Sequence, residues 1–232
     1  MTSSSTQTPM NAEAERPLLD TLTAIRTRRA IKEYLPTPIP QEWIAELIGA
    51  AVWAPNHHLT HPWRFHVFTG EGRERLVSAR YQAGVMGFQQ KGEPVPDNAL
   101  EFARAKCYSA PVLLIVSMAT NPDPIMDREN YAACWCAIQN LLLAGTARGL
   151  ATYPSTGDWV NHNFLGPVLG LTETERPVAC IFIGYSEQPA MGKRLPAEKH
   201  TTWYTDGPTN VGGPDRGSQN ALVLPTVSPP HS

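Results

Sequence analysis

The sequence is short of charge, of cysteine and of long apolar runs, and each shortage removes a class of protein. Charged residues make up 17% of the 232, and the formal net charge is −2 at pH 7. A chain without a basic excess has nothing with which to neutralise a phosphate backbone, so nucleic acid is not its expected partner. There are four cysteines, Cys107, Cys134, Cys136 and Cys180. Each sits in an apolar segment, which reads as core thiol rather than disulfide. Cys134 and Cys136 would stand about 200° apart on a helix, too splayed to share a metal ion. No apolar run approaches the ~20 residues of a membrane-spanning helix. The richest stretch, from Tyr131 to Leu143, is interrupted by Gln139 and Asn140. The first fifteen residues are polar and lack the apolar centre of an export signal, so the cytoplasm is the expected compartment. The glycine patterns that cradle nucleotides, G-x-G-x-x-G and the P-loop, are both missing. No Ser-His-Asp, Cys-His or paired-carboxylate arrangement can be defended from spacing, which matters less where a cofactor carries the chemistry.

What is present reads as one globular domain, with 42% hydrophobic residues. Residues 1–16 are polar and 207–232 are rich in Gly, Pro, Ser and Asn, so both are expected to be flexible. Residues 17–206 form the expected domain. Leu18 to Arg26 predicts a short helix with Leu18, Leu22 and Ile25 on one face. Pro36, Pro38 and Pro40 mark a rigid connector, and Pro40 suits the first turn of a helix from Gln41 to about Trp53. Trp63 to Thr69 predicts a strand, with helices following over Arg73 to Gln90 and Ala99 to Tyr108. Val112 to Met118 and Val178 to Tyr185 are continuous apolar runs, the pattern of strands buried on both faces. Asp127 to Arg148 predicts the longest helix, apolar nearly all round and so buried in a core or a subunit interface. Gly149 ends it. Leu150 to Gly157 predicts a loop, and Asp158 can cap a helix reaching about Leu169. The sum is α+β, a small sheet with helices on both sides, without the regular βαβ repeat of a Rossmann fold.

Three segments carry chemistry. Arg26-Thr27-Arg28-Arg29-Ala30-Ile31-Lys32 places four cations directly after a helix. They either complement the helix dipole or form an anion clamp, since guanidinium forks match phosphate oxygens. Ala54 to Trp63 holds His57, His58 and His61. The i, i+4 spacing of His57 and His61 is that of zinc helices, but no Glu follows the first His and prolines bracket the stretch. No metal is expected; a loop presenting polar groups to a ligand fits better. Gly149 to Gly157 holds small, permissive residues, either an ordinary connector or a surface where main chain approaches a flat ligand.

In this order the three segments resemble the nitroreductase family. That family's opening reads helix, Arg-Arg-Ser-x-Arg, Pro-rich connector, helix, Ala-Pro, polar loop and Gln-Pro-Trp. Here the corresponding residues are Arg28-Arg29-Ala30-Ile31-Lys32, Ile39-Pro40, Ala54-Pro55 and His61-Pro62-Trp63. The short Ala-Pro-Asn-His-His loop is most similar to the compact branch of the family. Gly149 to Gly157 matches its Gly-rich segment, and Ala179 to Tyr185, with Gly184, its closing Ile-Gly-Tyr. The resemblance runs from about Leu18 to Tyr204.

The resemblance implies an α+β homodimer with a small central mixed sheet flanked by helices, and FMN at the subunit interface. It implies that Arg28, Arg29 and Ala30 grip the FMN phosphate and ribityl chain, with Lys32 close by. Trp53 and His57 stand at further contact positions. Tyr153, Pro154, Ser155 and Thr156 line the isoalloxazine, and Lys193 or Arg194 supplies a second phosphate cation. Hydride then passes from NAD(P)H through FMN to an electron-poor acceptor such as a nitroaromatic or quinone, in ping-pong order, with Lys32 or Arg29 stabilising the reduced flavin. Relatives run other flavin reactions, reductive dehalogenation and flavin fragmentation, and a non-catalytic flavin-binding protein is a third reading. The chain departs from the family pattern at Ala30 (usually Ser), Lys32 (Arg), His61 (Gln) and Pro154-Ser155 (an aromatic-Arg pair). A lid is expected over Ala83 to Asn98, where Lys91 and Glu93 make no obvious zwitterion clamp.

Overall fold

A computed structural model of the protein describes residues 18–204. The two stretches expected to be flexible, 1–16 and 207–232, lie outside the described residues. The chain divides into two units after Gly192, a position inside the 17–206 span.

The first unit is built on a four-stranded sheet in the order β1 (Trp63–Thr69), β2 (Val112–Ala119), β4 (Glu175–Gly184), β3 (Ala151–Ser155). All three ladders are antiparallel. The parallel pairing that makes such a sheet mixed is confined to one isolated bridge, Ala30 to Thr152. The two central strands are β2 and β4, which explains their unbroken apolar sequences: both faces are covered. Val112, Leu114, Val116 and Met118 join one core cluster with α2 (Gln41–Ala51) and α5 (Pro124–Ala147). The alternate residues Leu113 and Ile115 join a second cluster with α3 (Val77–Lys91), α4 (Ala99–Cys107) and α6 (His162–Leu169). Each such fully buried aliphatic side chain contributes about 1.5–3 kcal/mol by leaving water.

Caps decide where the helices begin. Helix α1 (Thr21–Thr27) starts after Asp20, whose side chain accepts from Leu22 N and Thr23 N. Its Leu18-Leu22-Ile25 face is exposed within one chain. Helix α5 starts three residues earlier than expected, because Asp123 accepts from Ile125 N and Pro124 takes the first helical position. Gly149 ends the run in the left-handed region, φ 77°. Helix α6 is capped by Asn161, which accepts from Phe164 N, and not by Asp158. The expected helix from Arg73 splits into a 3₁₀ stretch (Gly70–Leu76) and α3.

The expected loop from Leu150 to Gly157 is corrected by β3, which occupies Ala151–Ser155. Pro154 hid it, since proline is rare inside a sheet but tolerated on an edge strand, and β3 is an edge. Cys107, Cys134 and Cys180 are buried as expected, whereas Cys136 is exposed. Burial pushes the Cys107 thiol up to about 11 and the Cys134 thiol up to about 12.

The described part of the second unit, residues 193–204, carries one 3₁₀ turn (Ala197–His200). Thr201 Oγ1 donates to Ala197 O at 2.8 Å, and Arg194 Nη1 donates to Lys193 O at 2.9 Å.

Candidate functional site

The basic run leaves α1 as an extended strap that lies along β3. Ala30 bridges Thr152 in parallel, and Ile31 N donates to Thr152 O at 3.2 Å. One residue further, Lys32 sets its Nζ 4.7 Å from the centre of the Tyr153 ring, a cation–π contact. Tyr153 in turn packs on Phe182 of β4, 5.9 Å between ring centres. The first and third of the sequence segments are therefore one surface. Residues 28–32 and 152–156 belong to it.

Arg29 shows that the structural role of the basic run is real. Its Nη1 donates to Arg26 O and Arg28 O, both at 2.7 Å, and so satisfies carbonyls at the end of α1. The same side chain leaves Nε buried without a hydrogen-bond partner, and Thr152 Oγ1 on the neighbouring strand is in the same condition. Buried polar atoms are ordinarily paired. Arg29 and Thr152 stand on neighbouring segments, joined through the Ala30–Thr152 bridge. Pro154 and Ser155 continue β3 opposite Ile181 and Cys180, and Thr156 follows, exposed.

Trp53 and His57 are elsewhere. Trp53 is 86% exposed at the end of α2. His57 Nδ1 lies 2.5 Å from Glu129 Oε2, near the start of α5. Sequence spacing gave no carboxylate for these histidines; Glu129 stands 72 positions away and is brought in by packing. The loop is tightly held. Asn56 Oδ1 accepts from His61 N at 2.9 Å, Thr60 Oγ1 donates to buried Asn130 at 2.8 Å, and the His57 and His58 rings stack at 3.9 Å. His58, Leu59 and His61 all have positive φ (53°, 52° and 44°), a cost that non-glycine residues bear only where surroundings enforce it. Among the described residues no group of three or more His, Cys, Asp or Glu is placed to hold a metal ion.

Helix α5 separates the two halves. Its Glu129 meets His57, while its Ala147 accepts from Leu19 N, ahead of α1. The eighteen residue-to-residue rises from Glu129 to Ala147 span about 27 Å at 1.5 Å per residue. Lys193 and Arg194 belong to the second unit and are described with it. The expected lid residues from Ala83 onward form the C-terminal half of α3, closed by Gly92 at φ 69°.

The Nitroreductase family description matches residues 25–185, well over half of the chain. A nitrobenzene nitroreductase of Ectopseudomonas oleovorans is 28% identical over 74% of this chain and 88% of its own length. The solved nitroreductase-like family protein of Bacillus cereus superposes with a TM-score of 0.72 at 26% identity, covering 82% of this chain and 99% of that one. The FMN-dependent nitroreductase NfnB of Mycobacterium smegmatis, solved with NADPH, shares the fold at a TM-score of 0.63 and 20% identity, covering 80% of this chain and 100% of its own. With the family match running from α1 through β4, the chain belongs to the nitroreductase family.

Proposed function

We propose that this chain is an FMN-dependent oxidoreductase, active as a homodimer, that takes reducing equivalents from NAD(P)H and delivers them to an electron-poor acceptor such as a nitroaromatic or quinone. The observation that supports it best is the junction of strap and edge strand, where Arg29 Nε and Thr152 Oγ1 are buried without partners and Lys32 stands over Tyr153. The residues present fit the cofactor: Arg28 and Arg29 would hold its phosphate, and the Tyr153–Thr156 edge would face its flat ring system. Bound there, FMN supplies hydride transfer between a two-electron donor and the acceptor. The protein's own part is electrostatic. Beside a bound flavin, Lys32 would supply the positive charge that offsets the negative charge gained on reduction, a preorganised stabilisation that costs no rearrangement at the moment of reaction. Ala30 contributes no hydroxyl, so the strap grips by charge and main chain. The family resemblance gives Lys193 or Arg194 a second phosphate contact, and we carry that assignment as part of the same proposal.

One chain does not complete the site. Sixteen residue-to-residue rises of α5, about 24 Å at 1.5 Å per residue, lie between Glu129, which anchors His57, and Gly145, which packs on the strap's partner Thr152. Two chains paired antiparallel along α5 bring the Trp53–His57 loop of one to the strap of the other.

The test is the absorbance spectrum of the purified protein, followed by anaerobic addition of NADH and then NADPH. A yellow protein that bleaches with either supports the reductase. A yellow protein that stays yellow favours a flavin-binding protein without turnover. Failure to take up FMN at all reduces the strap to a charged helix terminus, and the proposal fails.

A further inference from the structure

A cavity of about 510 Å³ opens between α3, α4 and the Gly157–Trp159 segment. The reaction proposed above does not use it. Its floor is bare helix: Gly84 and Gly87 lie one turn apart on α3, and a Cβ built at either meets nothing within 4 Å. Phe88, Phe102 and Trp159 give it aromatic walls. Arg80 and Lys91 from α3 are its cations, and Asp158 is its carboxylate. Trp159 is 5% exposed, yet its Nε1 has no hydrogen-bond partner. The Arg80 guanidinium lies 5.0 Å from the Trp159 ring centre, and its Nη1 is likewise buried and unpartnered.

Two buried donors without acceptors, both on residues lining one aromatic cavity, define what is missing. Tryptophan Nε1 and guanidinium N–H groups donate only, so the absent group is an acceptor. Two cations against one carboxylate leave a single positive charge, which suits a monoanion better than a phosphate dianion. A planar carboxylate matches the fork of an arginine. Aromatic walls and a flat backbone floor suit a ring, and the volume is that of a small-molecule site. We infer that this cavity binds an aromatic monocarboxylate, with the carboxylate on Arg80 and Trp159 Nε1 and the ring against α3 at Gly84 and Gly87. The inference concerns binding and does not rest on the flavin reaction.

The probe is 2-naphthoate, titrated calorimetrically into the purified full-length protein, with 2-naphthamide as its neutral counterpart. One site per chain is expected, with the carboxylate bound at least tenfold more tightly than the amide. Gly87→Leu projects a side chain into open space from a helix that tolerates it, and should abolish binding while leaving the thermal unfolding curve in place. Lys91→Gln, at an exposed position, should narrow the preference for the anion, and Arg80→Met should remove it. Equal binding of acid and amide, no binding of either, or undiminished binding by Gly87→Leu each overturn the inference. These readouts need no NAD(P)H. A protein that bleaches with NADH but ignores 2-naphthoate loses this site and keeps its proposed function, and the reverse result does the opposite.

Discussion

Gly184 closes β4 at a point where a side chain has no room. A Cβ there would stand 2.8 Å from Pro111 Cδ, 2.8 Å from Tyr34 Cδ1 and 3.1 Å from Tyr34 Cβ. Tyr34 is itself fixed, donating through its hydroxyl to Ile31 O at 2.6 Å, directly beside the strap. Gly184→Ala should therefore cost about 1–3 kcal/mol, the usual range for overpacking. Thermal unfolding reads it as a fall of several degrees; an unchanged midpoint would show that Tyr34 moves aside freely. The glycine was visible in the sequence as part of an Ile-Gly-Tyr match, but its reason was not, because Tyr34 lies 150 positions away. Lys32 is the opposite case: its charge was legible and its partner Tyr153 was not. Removing the charge as Lys32→Met should lower the flavin reduction potential and weaken FMN binding about tenfold, equivalent to ~1.4 kcal/mol. A potential and an affinity both unchanged would move the electrostatic role to Arg29.

At the scale of elements, sequence pattern found what burial alone dictates and missed what partners dictate. Strand β1 lies over the residues read as a strand, Trp63–Thr69. The central strands and the body of α5 were equally plain, since a segment covered on both faces must be apolar throughout. Strand β3 was not, because its five residues include a proline and its strand character comes from β4 and the strap on either side. The pairing of β1 with β2 also buries a titratable group whose effect no local pattern shows. His66 sits diagonally across from Ser117, with Nε2 2.9 Å from the buried hydroxyl. Burial holds this imidazole below its ordinary value of 6.5, against a weaker upward pull from Glu175. The unfolded chain accordingly takes up this proton before the folded one does. The stability His66 contributes is complete above pH 6.5 and is lost as pH falls below it toward the folded value. Urea unfolding at a series of pH values between 8 and 5 should show that decline, and His66→Gln, which keeps a hydrogen-bonding group opposite Ser117, should flatten it. An identical slope in both proteins would assign the decline to other groups.

The whole molecule poses the question that one chain leaves open, which is what covers the outer face of α5. Its inner face is core, through Ala133, Cys134, Ala137, Ile138, Leu141 and Leu142. Ile125, Ala132 and Cys136 follow one another at helical spacing on the outside and are exposed, as are Leu18, Leu22 and Ile25 around α1 at the far end. The sequence reading of α5 as apolar nearly all round left core and subunit interface as alternatives; one side is the first, and we assign the other to the second. In the proposed dimer a twofold axis near Cys136 would pair α5 with its copy in antiparallel fashion. It sets the His57 end of one helix against the Ala147 end of the other, the arrangement the divided site requires. Ala132→Arg places a guanidinium inside that contact. An unpaired buried charge costs about 3–5 kcal/mol, enough to raise the dimer dissociation constant more than ~100-fold. Light scattering should then find a dimer for the natural protein and a monomer for the variant, and the monomer should release FMN although every strap residue remains. A chromogenic thiol reagent gives an independent reading. The buried thiols Cys107, Cys134 and Cys180 stay protonated and covered in both forms, whereas Cys136 should react promptly only in the monomer. If the variant is monomeric yet holds FMN as tightly as the natural protein, the strap and β3 suffice alone and the histidine loop has no part in the site. If it remains a dimer with Cys136 freely reactive, the chains meet through another face.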